Sequence, residues 1–313
     1  MRICSLVPGA TEVVAALGLG DQLVGISHEC DFPSSVRHAT VMIEPMVGRG
    51  QALSAEIDRQ VKELVKTGRR LYRLDEQAFR RAQPDLILTQ DLCHVCAVTP
   101  DQLTCAIQCL PHQVDVVTLG PTTIEGMILD IERIAEAIGQ LSKGQALADS
   151  LRCRLDLVRE RTATLTPHPR VVCLEWLAPL YVAGHWVPEM VELAGGSDVL
   201  GSKGVPSRET TWAEVEAAQP DIVLLMPCGY SIDRTIRELV RIAQGQNEWR
   251  RLFDHRPRSY VVDSASYFSR PGPRLVDGVE LLTTILHPGP DHPVDPAKAI
   301  NLESAISAMD AAS

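Results

Sequence analysis

Residues 75–88 read DEQAFRRAQPDLIL, and residues 211–224 read TWAEVEAAQPDIVL. Each stretch predicts a short helix that stops at Gln-Pro-Asp, because proline cannot continue a helix. The apolar, β-branched run that follows is typical of a buried strand in a parallel sheet. Since the pattern occurs once in each half of the chain, it indicates two lobes of related topology.

A second pair of similar stretches supports this division. Residues 16–21 read ALGLGD and residues 193–198 read LAGGSD, and in both a helix is predicted to stop at glycine before a strand begins. Further strands alternate with helical patterns, which predicts parallel sheets. The predicted strands are residues 2–7, 23–27, 86–89, 114–119, 170–174, 222–226 and 260–263.

A long helical region separates the two lobes. Helices are predicted at residues 123–138 and 143–165, each after a capping box. The second helix would be about 34 Å long, which is enough to run from one lobe to the other. The predicted fold class is therefore α/β, with two Rossmann-like lobes containing parallel sheets and joined by a single long helix. The predicted domains are an N-terminal α/β lobe (1–141), an inter-lobe helix (142–166), a C-terminal α/β lobe (167–289) and a peripheral tail (290–313).

Composition limits the function and the location. The chain has 313 residues with 45% hydrophobic and 22% charged residues, which suits two globular domains. Its formal net charge of -10 argues against non-specific binding to nucleic acid or anionic lipid. No run of about 18 apolar residues predicts a membrane span. The start of the chain lacks a secretory signal, and nine cysteines, an odd number, favour reduced thiols over disulfides. These features predict a cytoplasmic protein, with a periplasmic or extracytoplasmic location as the alternative if the start is misassigned or trimmed.

Candidate ligand residues lie in the predicted loops after the strands. Ligands of open parallel sheets bind beyond the carboxyl ends of the strands, and two facing lobes would line a shared cleft with such loops. Ten of the thirteen aromatic residues lie in the second half, and their flat apolar faces suit a large planar ligand. The candidates are Pro8, Gly9, Ala10, Thr11, His28, Glu29, Cys93, His94 and Cys96 in the first half, and Glu175, Trp176, Tyr181, His185, Trp186, Tyr230, Tyr267, Phe268 and Arg270 in the second. Trp212 and Trp249 are predicted to lie in the core.

The Cys93-x-x-Cys96 motif leaves three interpretations open. It is a structural or ligand-contacting loop, half of a metal site, or a redox pair. A metal site would draw on Cys30, Cys93 and Cys96, with His28 or His94 as further donors. The first interpretation is favoured, because structural zinc sites normally have two such pairs and Cys105-x-x-x-Cys109 lies on a predicted helix. A histidine such as His185 is also able to approach a bound metal axially, since neutral imidazole is a common metal ligand.

Several motifs resemble one known family. They are residues 5–12 (SLVPGATE), 25–33 (GISHECDFP), 91–98 (DLCHVCAV), 174–177 (LEWL), 184–189 (GHWVPE) and 267–278 (YFSRPGPRLVDG). Together they resemble the cobalamin-binding branch of the class III substrate-binding proteins of ABC importers, over nearly all of residues 2–288. The resemblance implies two Rossmann-like lobes joined by one rigid helix, with cobalamin in the cleft. The sequence departs from typical importer members because its start shows neither a signal peptide nor a lipoprotein cysteine.

These observations lead to one main hypothesis and two alternatives. The main hypothesis is non-catalytic binding of cobalamin, or a related corrinoid, for uptake, retention or delivery, with no catalytic cofactor. One alternative is another cargo: haem, a siderophore or a metal ion. A siderophore is disfavoured because the candidate loops contain few basic residues. The other alternative is a thiol-dependent or corrinoid-processing enzyme, although no nucleophile elbow, P-loop or paired-carboxylate motif is recognised. The expected partners are a small-molecule corrinoid and, if the protein is exported, an ABC permease. A monomer is expected, without nucleic acid or a membrane span.

Overall fold

The computed structural model describes residues 1–48, 52–91, 100–243, 249, 258–289 and 293–304. The chain divides into two compact units. Unit 1 comprises Met1–Pro121, Glu125–Leu151 and Pro271–Pro273. Unit 2 comprises Thr122–Ile124, Arg152–Arg270 and Arg274–Ser313.

Unit 1 contains a six-stranded sheet. Its strands are β1 (Ile3–Ser5), β2 (Leu23–Ser27), β3 (Thr40–Pro45), β4 (Tyr72–Leu74), β5 (Leu86–Gln90) and β6 (Asp115–Leu119). They lie in the order β4-β3-β2-β1-β5-β6, with all neighbours parallel except β3 and β4. The helices that begin in this part of the chain are α1 (Pro8–Ala16), α2 (Ser54–Lys66), α3 (Glu76–Ala82), α4 (Pro100–Gln108) and α5 (Ile124–Ala137), with 3₁₀ turns at Gly20–Gln22 and Ser34–His38.

The Gln-Pro-Asp stretch of unit 1 ends α3 and fixes the start of β5. Gln83 has a left-handed φ of 41°, which turns the chain out of the helix. The Asp85 carboxylate then accepts a hydrogen bond from the Arg2 backbone N–H at 2.7 Å, and the Asp85 N–H donates to the Arg2 carbonyl at 2.8 Å. The Arg2 Nε donates to the Ala82 carbonyl at 2.6 Å, which satisfies an acceptor left open at the helix end. These bonds place β5 beside β1.

The same stretch in unit 2 makes the same contacts. Gln219 has a φ of 45°. The Asp221 carboxylate accepts from the Arg170 N–H at 2.8 Å, and the Asp221 N–H donates to the Arg170 carbonyl at 2.8 Å. The Arg170 guanidinium donates to the Ala218 carbonyl at 2.6 Å. The two stretches therefore perform one structural task, which is to align a central strand with the strand beside it.

Unit 2 contains a seven-stranded sheet. Its strands are β7 (Arg170–Leu177), β8 (Leu180–Val182), β9 (Ser197–Asp198), β10 (Arg208–Glu209), β11 (Ile222–Leu225), β12 (Arg258–Val262) and β13 (Ala299–Asn301). The order is β10-β8-β7-β11-β12-β13, with β9 pairing with β7. The strands β9, β7, β11 and β12 are parallel, whereas β8, β10 and β13 are antiparallel to their neighbours. The helices that follow β7 in the chain are α7 (Val187–Leu193), α8 (Trp212–Ala217), α9 (Ile232–Ala243), α10 (Ser264–Tyr267) and α11 (Arg274–Leu286).

The longest helix among the described residues is α6 (Leu141–Thr162), which has 22 residues and a length of about 33 Å. Its residues up to Leu151 belong to unit 1 and those from Arg152 belong to unit 2. Within unit 2, the Arg154 guanidinium donates two hydrogen bonds to the Glu280 carboxylate, at 2.7 and 2.8 Å, which tie this part of α6 to α11. Among the described residues, no helix is both long enough and apolar enough to cross a membrane.

The predicted α/β fold class is confirmed, and three features differ from the sequence prediction. Both sheets carry antiparallel strands at their edges in addition to the expected parallel centre. The prediction omitted β3, β4, β8, β9, β10 and β13. The segment assigned to a peripheral tail is not peripheral where β13 pairs with β12, because Ala299 and Leu302 are buried in unit 2. The domain boundaries proposed from the sequence stay a prediction.

Candidate functional site

The carboxyl ends of three neighbouring strands bring most of the second-half candidates together. These strands are β7, β11 and β12 of unit 2. The loop after β11 approaches the end of β7, because the Cys228 N–H donates to the Glu175 carbonyl at 3.0 Å. It also approaches the segment after β12, because the Ala265 N–H donates to the Tyr230 carbonyl at 3.0 Å. This edge of the sheet is the expected ligand position for a parallel α/β unit.

An aromatic cluster forms on the β7–β8 hairpin. Trp176 and Tyr181 are directly opposite each other in the antiparallel pairing, so their side chains share one face of the sheet. The Trp176 ring also meets the Tyr230 ring edge to face, with centroids 5.6 Å apart. Trp176 and Tyr181 are partly exposed, whereas Tyr230 is buried. Two aromatic side chains on this hairpin are therefore available to a ligand.

Buried polar contacts hold Tyr230 in place beneath this cluster. Its hydroxyl donates to Glu238 Oε2 at 3.1 Å, and the Arg234 guanidinium lies 3.7 Å from the centre of its ring. Burial, followed by the nearby Glu238 carboxylate, raises the pKa of Tyr230 well above its ordinary value, so the phenol stays neutral. Sequence reasoning missed Arg234 and Glu238, which lie on α9. The available signal was that α9 begins directly after the loop that carries Tyr230.

The loop 184–186 places two neighbouring side chains differently. His185 has a positive φ of 52°, its N–H donates to the Val205 carbonyl at 2.6 Å, and its ring is partly exposed. Burial lowers the pKa of His185 below its ordinary value, which favours neutral imidazole. Trp186 is buried, and its indole N–H donates to the Phe268 carbonyl at 2.8 Å.

The segment after β12 supplies the last three second-half candidates. Tyr267 is partly exposed, and Lys298 Nζ lies 5.5 Å from its ring centre. Burial, followed by the charge of Asp263, raises the pKa of Tyr267. Phe268 and Arg270 are buried. Three hydrogen bonds that sequence reasoning did not foresee fix this segment: Ser264 Oγ to the Met226 carbonyl at 2.9 Å, Ser264 Oγ to Ser269 Oγ at 2.8 Å, and the Gly229 N–H to Ser269 Oγ at 3.0 Å.

In unit 1, the first group of candidates forms the start of α1. Pro8 is the first helical residue, where its missing N–H costs nothing. Gly9 is required by close packing, because a Cβ at this position would lie 2.1 Å from the Pro271 carbonyl oxygen. Ala10 and Thr11 are buried. The Thr11 hydroxyl donates to Ser5 Oγ at 2.8 Å, so this part of α1 packs against its own sheet.

The loop after β2 holds the remaining described candidates of unit 1. His28 lies against Tyr72, with ring centroids 5.9 Å apart, and its Nε2 is 3.5 Å from Glu29 Oε1. Both His28 and Glu29 are partly or largely exposed. Cys30 is buried, and its sulfur is 3.0 Å from the Thr11 hydroxyl. The sequence analysis did not identify Tyr72 as a neighbour of His28, because it did not predict strand β4.

The Cys93, His94 and Cys96 candidates lie outside the described residues. Within the part of the chain that the structure describes, no group of three or more His, Cys, Asp or Glu side chains is placed to hold a metal ion. Of the alternative metal site of Cys30, Cys93 and Cys96, the structure describes Cys30, whose sulfur lies 3.0 Å from the Thr11 hydroxyl and 3.3 Å from the Ser27 hydroxyl.

Burial separates the candidates of unit 2 into two groups. Trp176, Tyr181, His185, Tyr267 and Glu175 are partly exposed at the carboxyl end of the sheet or in its flanking loops. Tyr230, Trp186, Phe268 and Arg270 are buried. The first group can touch a ligand directly, whereas the second supports the loops that carry the first. The surface so formed is mainly aromatic, with few polar groups, and is typical of sites for large, flat organic ligands.

The fold and this loop surface define a solute-binding protein of the class III type, and the comparisons with known proteins agree. Residues 3–244 match the family model described as "Periplasmic binding protein", so the chain belongs to that family. A vitamin B12-binding protein of Vibrio cholerae is 25% identical over 296 residues, covering 91% of this chain and 88% of the relative.

Solved structures show the same fold. A periplasmic heme binding protein from Pseudomonas aeruginosa has a TM-score of 0.70 and 19% identity, covering 96% of this chain and 97% of its own. The periplasmic vitamin B12 binding protein BtuF of Vibrio cholerae has a TM-score of 0.60 and 22% identity, covering 91% of this chain and 96% of its own. At these identities the likeness concerns the fold alone.

The predicted cytoplasmic location is wrong. The family to which the chain belongs is described as periplasmic, and both solved structures are of periplasmic proteins. The prediction relied on the residues at the start of the sequence and on an odd cysteine count. Family membership rests on a match over residues 3–244 and outweighs both features.

Proposed function

We propose that this protein binds a cobalamin-type corrinoid without catalysis and delivers it to the permease of an ABC importer. The observation that carries the proposal is the pair of partly exposed rings, Trp176 and Tyr181, on one face of the β7–β8 hairpin. Flat apolar rings bind a large planar macrocycle through contact area and tolerate its amide-rich rim. The relative from Vibrio cholerae, named as a vitamin B12-binding protein, supports the same ligand class.

The proposed contact residues of unit 2 are Glu175, Trp176, Tyr181, His185 and Tyr267, which are the partly exposed members of the candidate set. In this proposal Trp176 and Tyr181 supply most of the contact area. Their positions depend on Tyr230, which is fixed by Glu238 and by the Arg234 guanidinium. In unit 1 we propose His28 and Glu29 as polar contacts, because they are described polar candidates with partly exposed side chains.

Haem is the second candidate cargo. It is also a large planar macrocycle, and the solved structure with a TM-score of 0.70 is named as a periplasmic heme binding protein. Haem differs from cobalamin in its two propionate groups, which are anionic and favour cationic side chains. The Arg234 cation lies at the aromatic cluster, but its guanidinium is already stacked on Tyr230. This arrangement favours the cargo with the less anionic rim.

Separate titrations of the purified protein with cyanocobalamin and with haemin test the proposal. Calorimetry and the absorbance of each macrocycle should show tight, stoichiometric binding of cyanocobalamin and much weaker binding of haemin. Stoichiometric haemin binding without cyanocobalamin binding would establish the second candidate instead. No heat and no absorbance change with either ligand would refute both.

A matched pair of variants tests the site. Tyr181→Ala removes the ring and should weaken binding at least tenfold, whereas Tyr181→Phe keeps the ring and should bind nearly as the unaltered protein does. Equal affinities of all three proteins would place the ligand elsewhere. Thermal unfolding of each variant shows whether a loss of binding comes from a loss of folding.

A further inference from the structure

Two thiols at the carboxyl end of helix α4 are exposed to solvent. Its Leu103 and Ala106 side chains are buried against the core of unit 1, whereas Cys105 and Cys109 are exposed. Cysteine is among the residue types most often buried, and its reactivity usually decides where it is retained. Cys105 lies in the last turn of α4 and Cys109 directly follows its last residue, Gln108. Two exposed cysteines four residues apart at one helix end call for a chemical explanation.

The spacing favours a bridging ion over a disulfide. Side chains four residues apart on a helix have Cβ atoms about 5–6 Å apart. Cys109 continues directly from α4, with its N–H donating to the Ala106 carbonyl at 3.2 Å. A disulfide needs a Cβ–Cβ separation of about 3.5–4.5 Å, so this pair would have to unwind the end of the helix to form one. Two thiolate–metal bonds of about 2.3 Å in a line place the sulfurs about 4.6 Å apart, which the helical spacing accommodates.

The Arg80 guanidinium supplies a positive charge next to the Cys109 sulfur. Its Nη2 lies 3.2 Å from Cys109 Sγ, and its other described ionic neighbour is Glu76, whose Oε2 is 3.8 Å away. A guanidinium at hydrogen-bond distance stabilises negative charge on the sulfur. This matters because a monovalent cation held by two thiolates carries a net charge of -1.

We propose that Cys105 and Cys109 form a two-coordinate site for a soft monovalent cation of the Cu(I) class. On binding, each thiol releases its proton to solvent and each sulfur forms one bond to the cation, with no change in oxidation state. Soft thiolate ligands select Cu(I) over hard cations. The absence of a third His, Cys, Asp or Glu donor among the described residues matches a linear site rather than a four-coordinate zinc site. This inference does not depend on the cargo proposed above.

Cu(I) titration of the full, reduced chain under argon tests the site, with a chromogenic Cu(I) chelator as competitor. The double variant Cys105→Ser/Cys109→Ser should bind one equivalent fewer than the unaltered protein. Arg80→Gln should keep the stoichiometry and weaken the affinity about tenfold. Cys153→Ser is the matched control and should change nothing. Like Cys105, Cys153 is exposed and lies in a helix, but α6 has no cysteine one turn away from it.

Two results would overturn the proposal. One is that the double variant binds as many equivalents as the unaltered protein with the same affinity. The other is a Cys105–Cys109 disulfide in the purified protein, detected by peptide mapping, because the spacing argument would then be wrong. Substitution of exposed cysteine by serine should leave thermal unfolding almost unchanged, so loss of the site is separable from loss of the fold.

Discussion

Replacement of Trp176 by alanine tests the proposed site most directly, because the chain contains a matched control. Trp176 is partly exposed and meets the buried ring of Tyr230 edge to face, with centroids 5.6 Å apart. Trp212 is also partly exposed and meets the buried ring of Trp249 edge to face, at 4.7 Å. Both pairs are edge to face, but Trp212 packs against the core cluster of unit 2.

The expected magnitudes follow from contact area. A tryptophan buries about 150–250 Å² in total, so one face covered by a ligand buries roughly 100 Å². At about 25 cal/mol per Å² this is about 2.5 kcal/mol, or about 70-fold in Kd. Each substitution also removes an aromatic pair and half-buried surface, at a cost of about 2 kcal/mol, since full burial is worth about 3–5 kcal/mol. That cost lowers the Tm by about 4–8 °C in a unit of this size.

The assay is cyanocobalamin affinity by calorimetry, beside the Tm, for both variants. Trp176→Ala should bind cyanocobalamin about 70-fold more weakly and unfold several degrees lower. Trp212→Ala should lower the Tm by a similar amount and leave the affinity unchanged. Equal losses of affinity in the two variants would show that the effect is general destabilisation. An unchanged affinity in Trp176→Ala would remove this ring from the site.

Three further predictions follow from other described contacts. Gly9→Ala should lower stability by about 1–3 kcal/mol, measured by denaturant unfolding, because its Cβ would lie 2.1 Å from the Pro271 carbonyl oxygen. Arg154→Gln should lower the free energy of unfolding by about 1 kcal/mol, and a double-mutant cycle with Glu280→Gln should show coupling; strict additivity would contradict it. Burial lowers the pKa of His185 from 6.5, so near pH 6 the unfolded chain binds more protons and stability should fall as the pH drops below about 6.5. Stability curves from pH 8 to 5 should fall less for His185→Gln, and parallel curves would refute this.

The fold was predictable because its decisive sequence pattern is local and occurs twice. Gln83 and Gln219 both adopt a left-handed φ, and the aspartate two residues later in each case bonds the first strand of its own unit. The strands that sequence reasoning missed lie mostly at sheet edges. There a strand of two or three residues, such as β9, leaves too short a pattern to recognise, and its position depends on pairing with distant residues.

The site was only partly predictable, because the order of residues along a loop does not specify which side chain is buried. The loop candidates were chosen by their position after strands, and in unit 2 the structure brings most of them to one edge of the sheet. The contacts that hold these loop residues in place were not visible in the sequence. Tyr230 depends on Glu238 one helix further along, and Ser264 meets Ser269 across a short turn.

His185 and Trp186 show how backbone geometry separates contact from support. The positive φ of His185, together with its N–H bond to Val205, turns the chain so that its ring stays partly exposed. The next side chain then points inward, where the Trp186 indole N–H reaches the Phe268 carbonyl. A buried indole must find such a partner, since an unpaired donor would cost about 1–3 kcal/mol. The loop is thus anchored by the tryptophan, and this anchoring leaves the neighbouring imidazole, kept neutral by its partial burial, as the side chain that can meet a ligand.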